Sequence, residues 1–327
     1  MTNLTSLFRA RSKLKRAIRE FFDARQFLEV DTPILVSCPG TELYLGYFQT
    51  HWVDHYRKTH PLWLRSSPEL ALKRALVAGI PALYQIAPCF RNEGELGPWH
   101  HPEFTMLEFY QVGVTWEAFL KLTEDLIRFC IQQMATEFPS ALLATATLHH
   151  ISVRQAFKDF VGVDLIDNDA SLAAKAKALG VQSINGGEDF ATAFFKILLD
   201  RIEPALTRMG WVVLYDYPPS QAALARVEGG VAKRFEFYIQ GVELSNGFNE
   251  LCDPMENRRR VKEVHTARAL MAKDIPLEDE AFYAALDQGL PDCFGNALGV
   301  DRLLALILGS QNLESVIPFR KDRPFAS

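Results

Sequence analysis

Apolar and polar positions along the first thirty residues repeat with a helical period. Leu7, Leu14, Ile18, Phe21 and Phe22 fall on one stripe, and Arg9, Arg11, Lys13, Lys15, Arg16 and Arg19 occupy the opposite face, so 7–27 reads as a long amphipathic helix. Pro33 ends it and favours an extended Thr32, so a strand or arm follows. The spacing predicts strands at 47–53, 62–64, 83–87 and 103–112, with a helix at 68–77 that opens on Pro68. A second strong helix is predicted over 116–134, with further helices over 153–160, 171–179 and 189–199. Beyond that the period changes to strands at 211–215, 234–239 and 242–244, helices at 254–272 and 278–286, and a final strand at 298–300 running into a helix at 302–308. Strands at both ends with helices between them favour an α+β fold with a mainly antiparallel sheet over a regular βαβ alternation.

Composition narrows the class. The 327 residues are 48% hydrophobic, enough to bury a full core without disulfides or metal. Lys and Arg number 35 against 40 Asp and Glu, which removes any global argument for wrapping a polyanion. Five cysteines without CxxC spacing suit a reducing cytoplasm rather than a disulfide framework. No apolar run approaches the roughly 20 residues of a membrane span. The basic N-terminus runs directly into Glu20 and Asp23, which reads as folded domain rather than a targeting segment. No repeat or linker-like composition divides the chain, so 1–327 is expected to be one catalytic domain.

Three segments carry candidate chemistry. In the first, Phe90-Arg91-Asn92-Glu93 precedes a short loop and then His100, Phe104 and Glu108 at intervals of four. Arg91 and Glu93, two positions apart on a strand, would share a face, one meeting a phosphate and the other accepting from an amine. In the second, Gly295 to Arg302, small residues let a ligand approach the backbone and Arg302 supplies a forked cationic donor at a strand-to-helix junction. In the third, Glu236 and Glu243 would sit on adjacent strands of a hairpin turned near Gln240-Gly241 and offer hard oxygen ligands to Mg²⁺. Asn246, Phe248 and Glu250 follow at period two, so an amide, an apolar wall and a carboxylate could line one face toward a cationic ligand. No Walker A sequence and no GxGxxG occurs, so any nucleotide is held by another device.

In this order the segments resemble the three motifs of the class II aminoacyl-tRNA synthetases: the first at 27–33, the second at 90–108, the third at 295–302. Ser67-Pro68-Glu69-Leu70, the strand at 243–250 and His100-His101-Pro102-Glu103-Phe104 resemble the lysyl branch. The first helix begins within ten residues, leaving no room for the OB-fold anticodon-binding domain of lysyl-tRNA synthetases. Ala297 and Ser245 stand where those enzymes carry glycine, and an added methyl or hydroxymethyl is expected to reshape a pocket floor. Both features are similar to the elongation factor P–(R)-β-lysine ligases, truncated paralogues of lysyl-tRNA synthetase.

The resemblance implies ATP and Mg²⁺ as cofactors, with (R)-β-lysine activated as an adenylate and transferred to a lysine of elongation factor P. It implies Arg91 and Arg302 as catalytic residues. The ATP site would take Arg91, Asn92, Glu93, His100, Phe104, Glu243, Leu244, Gly299 and Arg302, and the metal Glu236 and Glu243. The β-lysyl substrate would meet Ser67, Glu69, His101, Tyr110, Asn246, Phe248, Glu250 and Ala297. His101 replaces the asparagine usual in the family and adds titratable charge near a cationic ligand. The class also implies a homodimer, which the long stripe of the first helix would permit. Two other readings stand beside this one. In a minimal lysine:tRNA ligase, the basic first helix and Arg258-Arg259-Arg260 would be the RNA footprint. In a non-catalytic amino-acid sensor the same pocket would lack ATP chemistry, which the presence of Arg91, Glu93, Glu243 and Arg302 opposes.

Overall fold

A computed structural model describes residues 4–94, 97–138, 142 and 144–319. The chain divides into two compact units, one of residues 1–144 and 252–327, the other of 145–251. No linker composition marks the division, because the second unit is inserted between two elements of the first.

In chain order the first unit opens with α1 (Leu4–Asp23), then short strands β1 (Leu28–Glu29) and β2 (Leu35–Val36), β3 (Gln49–Val53) and β4 (Thr59–Leu64). Helix α2 (Glu69–Val77), β5 (Ala82–Phe90), β6 (Glu103–Val112) and α3 (Trp116–Ala135) follow. The second unit holds β7 (Leu148–Ser152), α4 (Val153–Val161), α5 (Leu172–Ala178) and α6 (Phe190–Ile197), which passes through a π-turn at Leu198–Ile202 into α7 (Glu203–Met209). It ends with β8 (Trp211–Tyr217), β9 (Val227–Glu228), β10 (Val231–Ile239) and β11 (Val242–Asn249). The chain returns to the first unit with α8 (Pro254–Leu270), α9 (Glu280–Gly289), β12 (Cys293–Gly299) and α10 (Val300–Ile307).

The first unit's main sheet pairs β1 parallel to β5, and β5–β6 and β6–β12 antiparallel. The stripe on α1 packs inside this unit: Phe21 lies on Phe129 of α3, and Phe22 stacks on Tyr84 with ring centroids 4.5 Å apart. That stripe is therefore spent on the helix's own core and does not argue for a dimer. In the second unit β11–β10–β8 are antiparallel and β7 adds parallel to β8, with α4, α6 and α7 packed on one face around Phe157, Phe194 and Leu206. The fold is α+β and mainly antiparallel.

Helix starts follow their capping residues. Thr115, Ser152, Asp189, Asp253 and Asp279 each accept a backbone N–H of the first turn, which satisfies donors the helix cannot. Among the described residues all five cysteines are free thiols, and no helix is long and apolar enough to cross a membrane.

Candidate active site

Strand alternation builds the site of the first unit. On β6, Phe104, Met106, Glu108 and Tyr110 share a face, and the register places Ala297 opposite Glu108, Gly299 opposite Met106 and Gly295 opposite Tyr110. Glu108 is fully buried. Its Oε1 accepts from the Ser67 hydroxyl at 2.5 Å and its Oε2 from the Tyr110 hydroxyl at 3.0 Å. Burial pushes its carboxyl up to about 8; the charge of Glu69 adds to the shift, and Ser67, Tyr110 and Lys73 oppose it. Glu69 opens α2, its backbone N–H donating to Ser67 Oγ at 2.9 Å, and the buried Lys73 one turn on donates to its carboxylate at 2.6 Å. Two carboxylates thus lie together, with Lys73 paired to one of them; the arrangement suits a cationic ligand.

Beside this pocket is a cationic half. Arg91 holds its guanidinium 5.2 Å from the centre of the Phe104 ring. Arg302 at the start of α10 donates from Nε to the Trp99 carbonyl at 3.2 Å, and its Nη2 lies 3.1 Å from His100 Nε2. Gly299 lies just before it, where a Cβ would touch the Arg302 chain. The same-face reading of Arg91 and Glu93 does not hold: β5 ends at Phe90, and Glu93 takes φ 56° and turns its carboxylate to Lys273 at 3.1 Å. Asn92 is exposed, its N–H donating to the Gly46 carbonyl at 3.0 Å. His101 is buried and folds back on its own turn, with Nδ1 2.6 Å from the Glu103 carbonyl. Asp301 does not cap α10; it accepts from Thr105 N at 2.6 Å and from Arg11 Nη1 at 2.5 Å.

The second unit carries the hairpin. β10 and β11 turn at Gln240 and Gly241, both with positive φ, and a bulge at Phe237/Tyr238 leaves Leu244 unpaired in the ladder. The register pairs Arg234 with Phe248, Glu236 with Asn246 and Tyr238 with Glu243, so these six side chains occupy one face. Ser245 pairs with Phe237 and faces the other way, toward buried rings. It does not reshape the floor beneath Asn246 and Phe248. Gly247 is required where it stands, since a Cβ there would collide with the Phe235 ring. Glu250 is buried just past β11 and bridges to Ala225.

Glu236 is buried with Oε1 2.5 Å from Arg234 Nη2 and Oε2 2.7 Å from the Tyr238 hydroxyl. Burial raises its carboxyl, Arg234 opposes the rise and Glu243 adds to it. Among the described residues no group of three or more His, Cys, Asp or Glu side chains gathers as a metal site. The hard oxygens of Glu236 and Glu243 suit Mg²⁺ in kind, and Glu236 would have to exchange Arg234 for the ion.

The Arg258–Arg260 run is neutralised locally, and so are Lys13 and Arg19 on the first helix. Arg258 pairs with Asp287 at 2.6 Å, Arg259 and Arg260 with Glu256 at 2.7 and 2.8 Å, Lys13 with Glu137 at 2.6 Å and Arg19 with Glu29 at 2.8 Å. Such charges are a poor phosphate footprint. Two site residues have no role assigned from the sequence, Glu108 and Lys73. For Glu108 the period-two spacing to Tyr110 was the available signal.

An antiparallel sheet bearing an Arg on the loop after one strand, an aromatic–acidic row on the next and a Gly-rich strand running into an Arg-bearing helix defines a class II synthetase catalytic unit. The family described as tRNA synthetases class II (D, K and N) matches residues 1–323, and the chain belongs to it. Among curated relatives, the elongation factor P–(R)-β-lysine ligase of Avibacterium paragallinarum is 37% identical over 315 residues, 95% of this chain and 94% of the relative. The ligase of the same description from Vibrio cholerae is 36% identical over 96% and 95% of the two chains, and that of Haemophilus influenzae 35% over 95% and 94%. Within the class, the chain belongs to this ligase family, and ligases of the class use ATP.

Proposed function

We propose that the protein activates (R)-β-lysine with ATP and transfers it to a lysine side chain of elongation factor P in the cytoplasm. The observation that carries the reading is the pairing of a buried carboxylate cluster with an arginine on one sheet face. Glu108, Glu69, Ser67 and Tyr110 suit the ammonium groups of a diamino acid, and Arg91 over Phe104 suits its carboxylate and the α-phosphate. The substrate carboxylate attacks the α-phosphorus, pyrophosphate leaves, and the lysine amine of the acceptor then attacks the acyl carbon and releases AMP. No side chain acts as a covalent nucleophile; positioning and fixed charge carry the rate.

Arg302, kept extended by the Trp99 carbonyl and His100, stabilises charge on the phosphates, and Phe104 presents a ring face for the base. Asn92, Glu93, His100 and Gly299 complete the nucleotide contacts of the first unit, and His101 acts on substrate through the turn it closes rather than through its charge. Ala297 lies on the substrate face of the first unit, and Asn246, Phe248 and Glu250 of the second unit offer an amide, an apolar wall and a carboxylate of a kind that suits a cationic ligand. Mg²⁺, when bound by Glu243 with Glu236, would neutralise phosphate charge. A homodimer would use the outer side of α1, where Leu4 and Phe8 remain exposed; light scattering at micromolar concentration reads it. The function is tested by ATP–pyrophosphate exchange with (R)-β-lysine, followed by intact-mass measurement of elongation factor P. Exchange without any mass gain on elongation factor P, or charging of tRNA instead, overturns the acceptor assignment.

A further inference from the structure

The loop between β2 and β3, residues 37–48, reaches the site and is built unlike a surface loop. Arg268, fully buried near the end of α8, places Nη1 2.8, 3.1 and 2.8 Å from the carbonyl oxygens of Glu42, Leu43 and Leu45, and Nε 2.8 Å from that of Asp274. Its guanidinium lies 4.6 Å from the centre of the buried Tyr47 ring. The Tyr47 hydroxyl accepts from Glu42 N at 3.1 Å and lies 3.2 Å from Glu42 Oε2. Lys273 donates to the Tyr44 carbonyl at 3.2 Å and to Glu93, and Gly46 bridges to Asn92. A loop held at so many backbone atoms does not wander.

What this arch presents is a carboxylate. Glu42 Oε2 and Ser66 Oγ both crowd the backbone of Gly40, where any Cβ would collide with them. Ser66 immediately precedes Ser67, so Glu42 is mounted against the same chain segment that delivers Ser67 and Glu69. The arch also bridges through Gly46 to Asn92, the residue after Arg91, and burial raises the Glu42 carboxyl, with Arg91 opposing the rise and Glu69 adding to it. A carboxylate held rigidly against the segment that carries Ser67 and Glu69, in an arch tied to the residue after Arg91, is complementary to an ammonium close to the substrate carboxylate.

We propose that Glu42, clipped in place by Arg268 and Tyr47, is a specificity-determining residue that receives the ammonium of the diamino acid nearer its carboxylate, while Glu108 serves the terminal one. The inference rests on the diamino-acid reading above. It separates two ligands that differ only at one end: 3,6-diaminohexanoate, which is β-lysine, and 6-aminohexanoate, which lacks the nearer amine.

The experiment is amino-acid-dependent ATP–pyrophosphate exchange with both compounds on the full-length wild type, Glu42→Gln and Glu108→Gln. Glu42→Gln is expected to lower kcat/KM for β-lysine by roughly tenfold or more, mainly through KM, and to leave that for 6-aminohexanoate within about twofold. Glu108→Gln lowers both. A Glu42→Gln enzyme that loses both substrates equally, or neither, overturns the role of Glu42. Glu42→Asp, which keeps the charge, should recover part of the ratio; no recovery relative to Glu42→Gln counts against a charge-based role. A wild type that activates neither compound instead overturns the diamino-acid reading itself, so the two failures are distinguishable.

Discussion

Ala297 and Glu108 are direct cross-strand partners in the β6–β12 ladder, so the methyl of one lies on the same face as the buried carboxyl of the other. Ala297 also packs against a small apolar cluster of Ala87, Cys89, Met106 and Phe104. The alanine thus lies between the carboxylate pocket and the aromatic ring below Arg91. Ala297→Gly removes a methyl from that floor and should shift use of α-lysine relative to (R)-β-lysine upward by about tenfold, the effect of roughly 1 to 2 kcal/mol of pocket discrimination. Measuring kcat/KM for both amino acids checks it; a lower melting temperature with an unchanged ratio assigns Ala297 to packing alone.

Glu108 gives the site a pH dependence of definite sign. Its carboxyl is raised in the fold from an ordinary value of 4.5 to about 8, so between those limits the folded state binds more protons than the unfolded chain. Its contribution to stability is full below about pH 4.5 and is lost as pH rises through 8. An arriving ammonium reverses the preference and favours the carboxylate. Binding of (R)-β-lysine at pH 7 should therefore release a proton and tighten as pH rises from 6.5 to 8. Calorimetry in buffers of different ionisation enthalpy reads the release, and Glu108→Gln should abolish it. Equal enthalpies in all buffers for the wild type would remove Glu108 from the binding equilibrium.

Arg302→Ala should cost on the order of 10² to 10³ in adenylate formation, because a fixed cation at the phosphates is lost while α10 keeps its apolar face in the core. The same change frees His100 Nε2 from its arginine neighbour. ATP–pyrophosphate exchange in a variant with wild-type circular dichroism measures the effect, and exchange at the wild-type rate would place Arg302 outside the reaction.

Much of this architecture was legible from periodicity. The four-residue interval of Phe104 and Glu108 put both on one face of the strand over 103–112, Tyr110 came from the resemblance, and the Gln240-Gly241 turn set Glu236 and Glu243 on adjacent strands. Where the chain departs from ideal period the reading slipped. Glu93 left the face of Arg91 because the strand stops one residue before Arg91, and the bulge at Phe237/Tyr238 hides the alternation that turns Ser245 away. β7 carries His149 and His150 on an exposed edge and offers no apolar run to detect. The 37–48 arch was illegible for a different reason: its order comes from Arg268, more than two hundred residues downstream, and no local pattern announces a guanidinium reserved for main-chain carbonyls.

Asp301 makes the last expectation. Asp301 stands in the first turn of α10, yet both its carboxylate oxygens are committed outside the helix, one to Thr105 N on β6 and the other to Arg11 on α1. Arg11 also donates to the Val316 carbonyl at 2.8 Å and to Thr105 Oγ1 at 3.1 Å, so one part-buried ion pair ties the first helix, the central strand and the residue before Arg302. Removing Asp301 leaves a part-buried guanidinium without its counter-ion and Thr105 N without its acceptor, at a cost of about 1 to 3 kcal/mol. Asp301→Asn should lower the melting temperature by several degrees and reduce exchange activity through a less fixed Arg302. Pairing it with Arg11→Met removes the orphaned charge, so the double variant should be less destabilised than the sum of the two singles. Strict additivity in thermal unfolding would mean that Arg11 and Asp301 do not act as a pair.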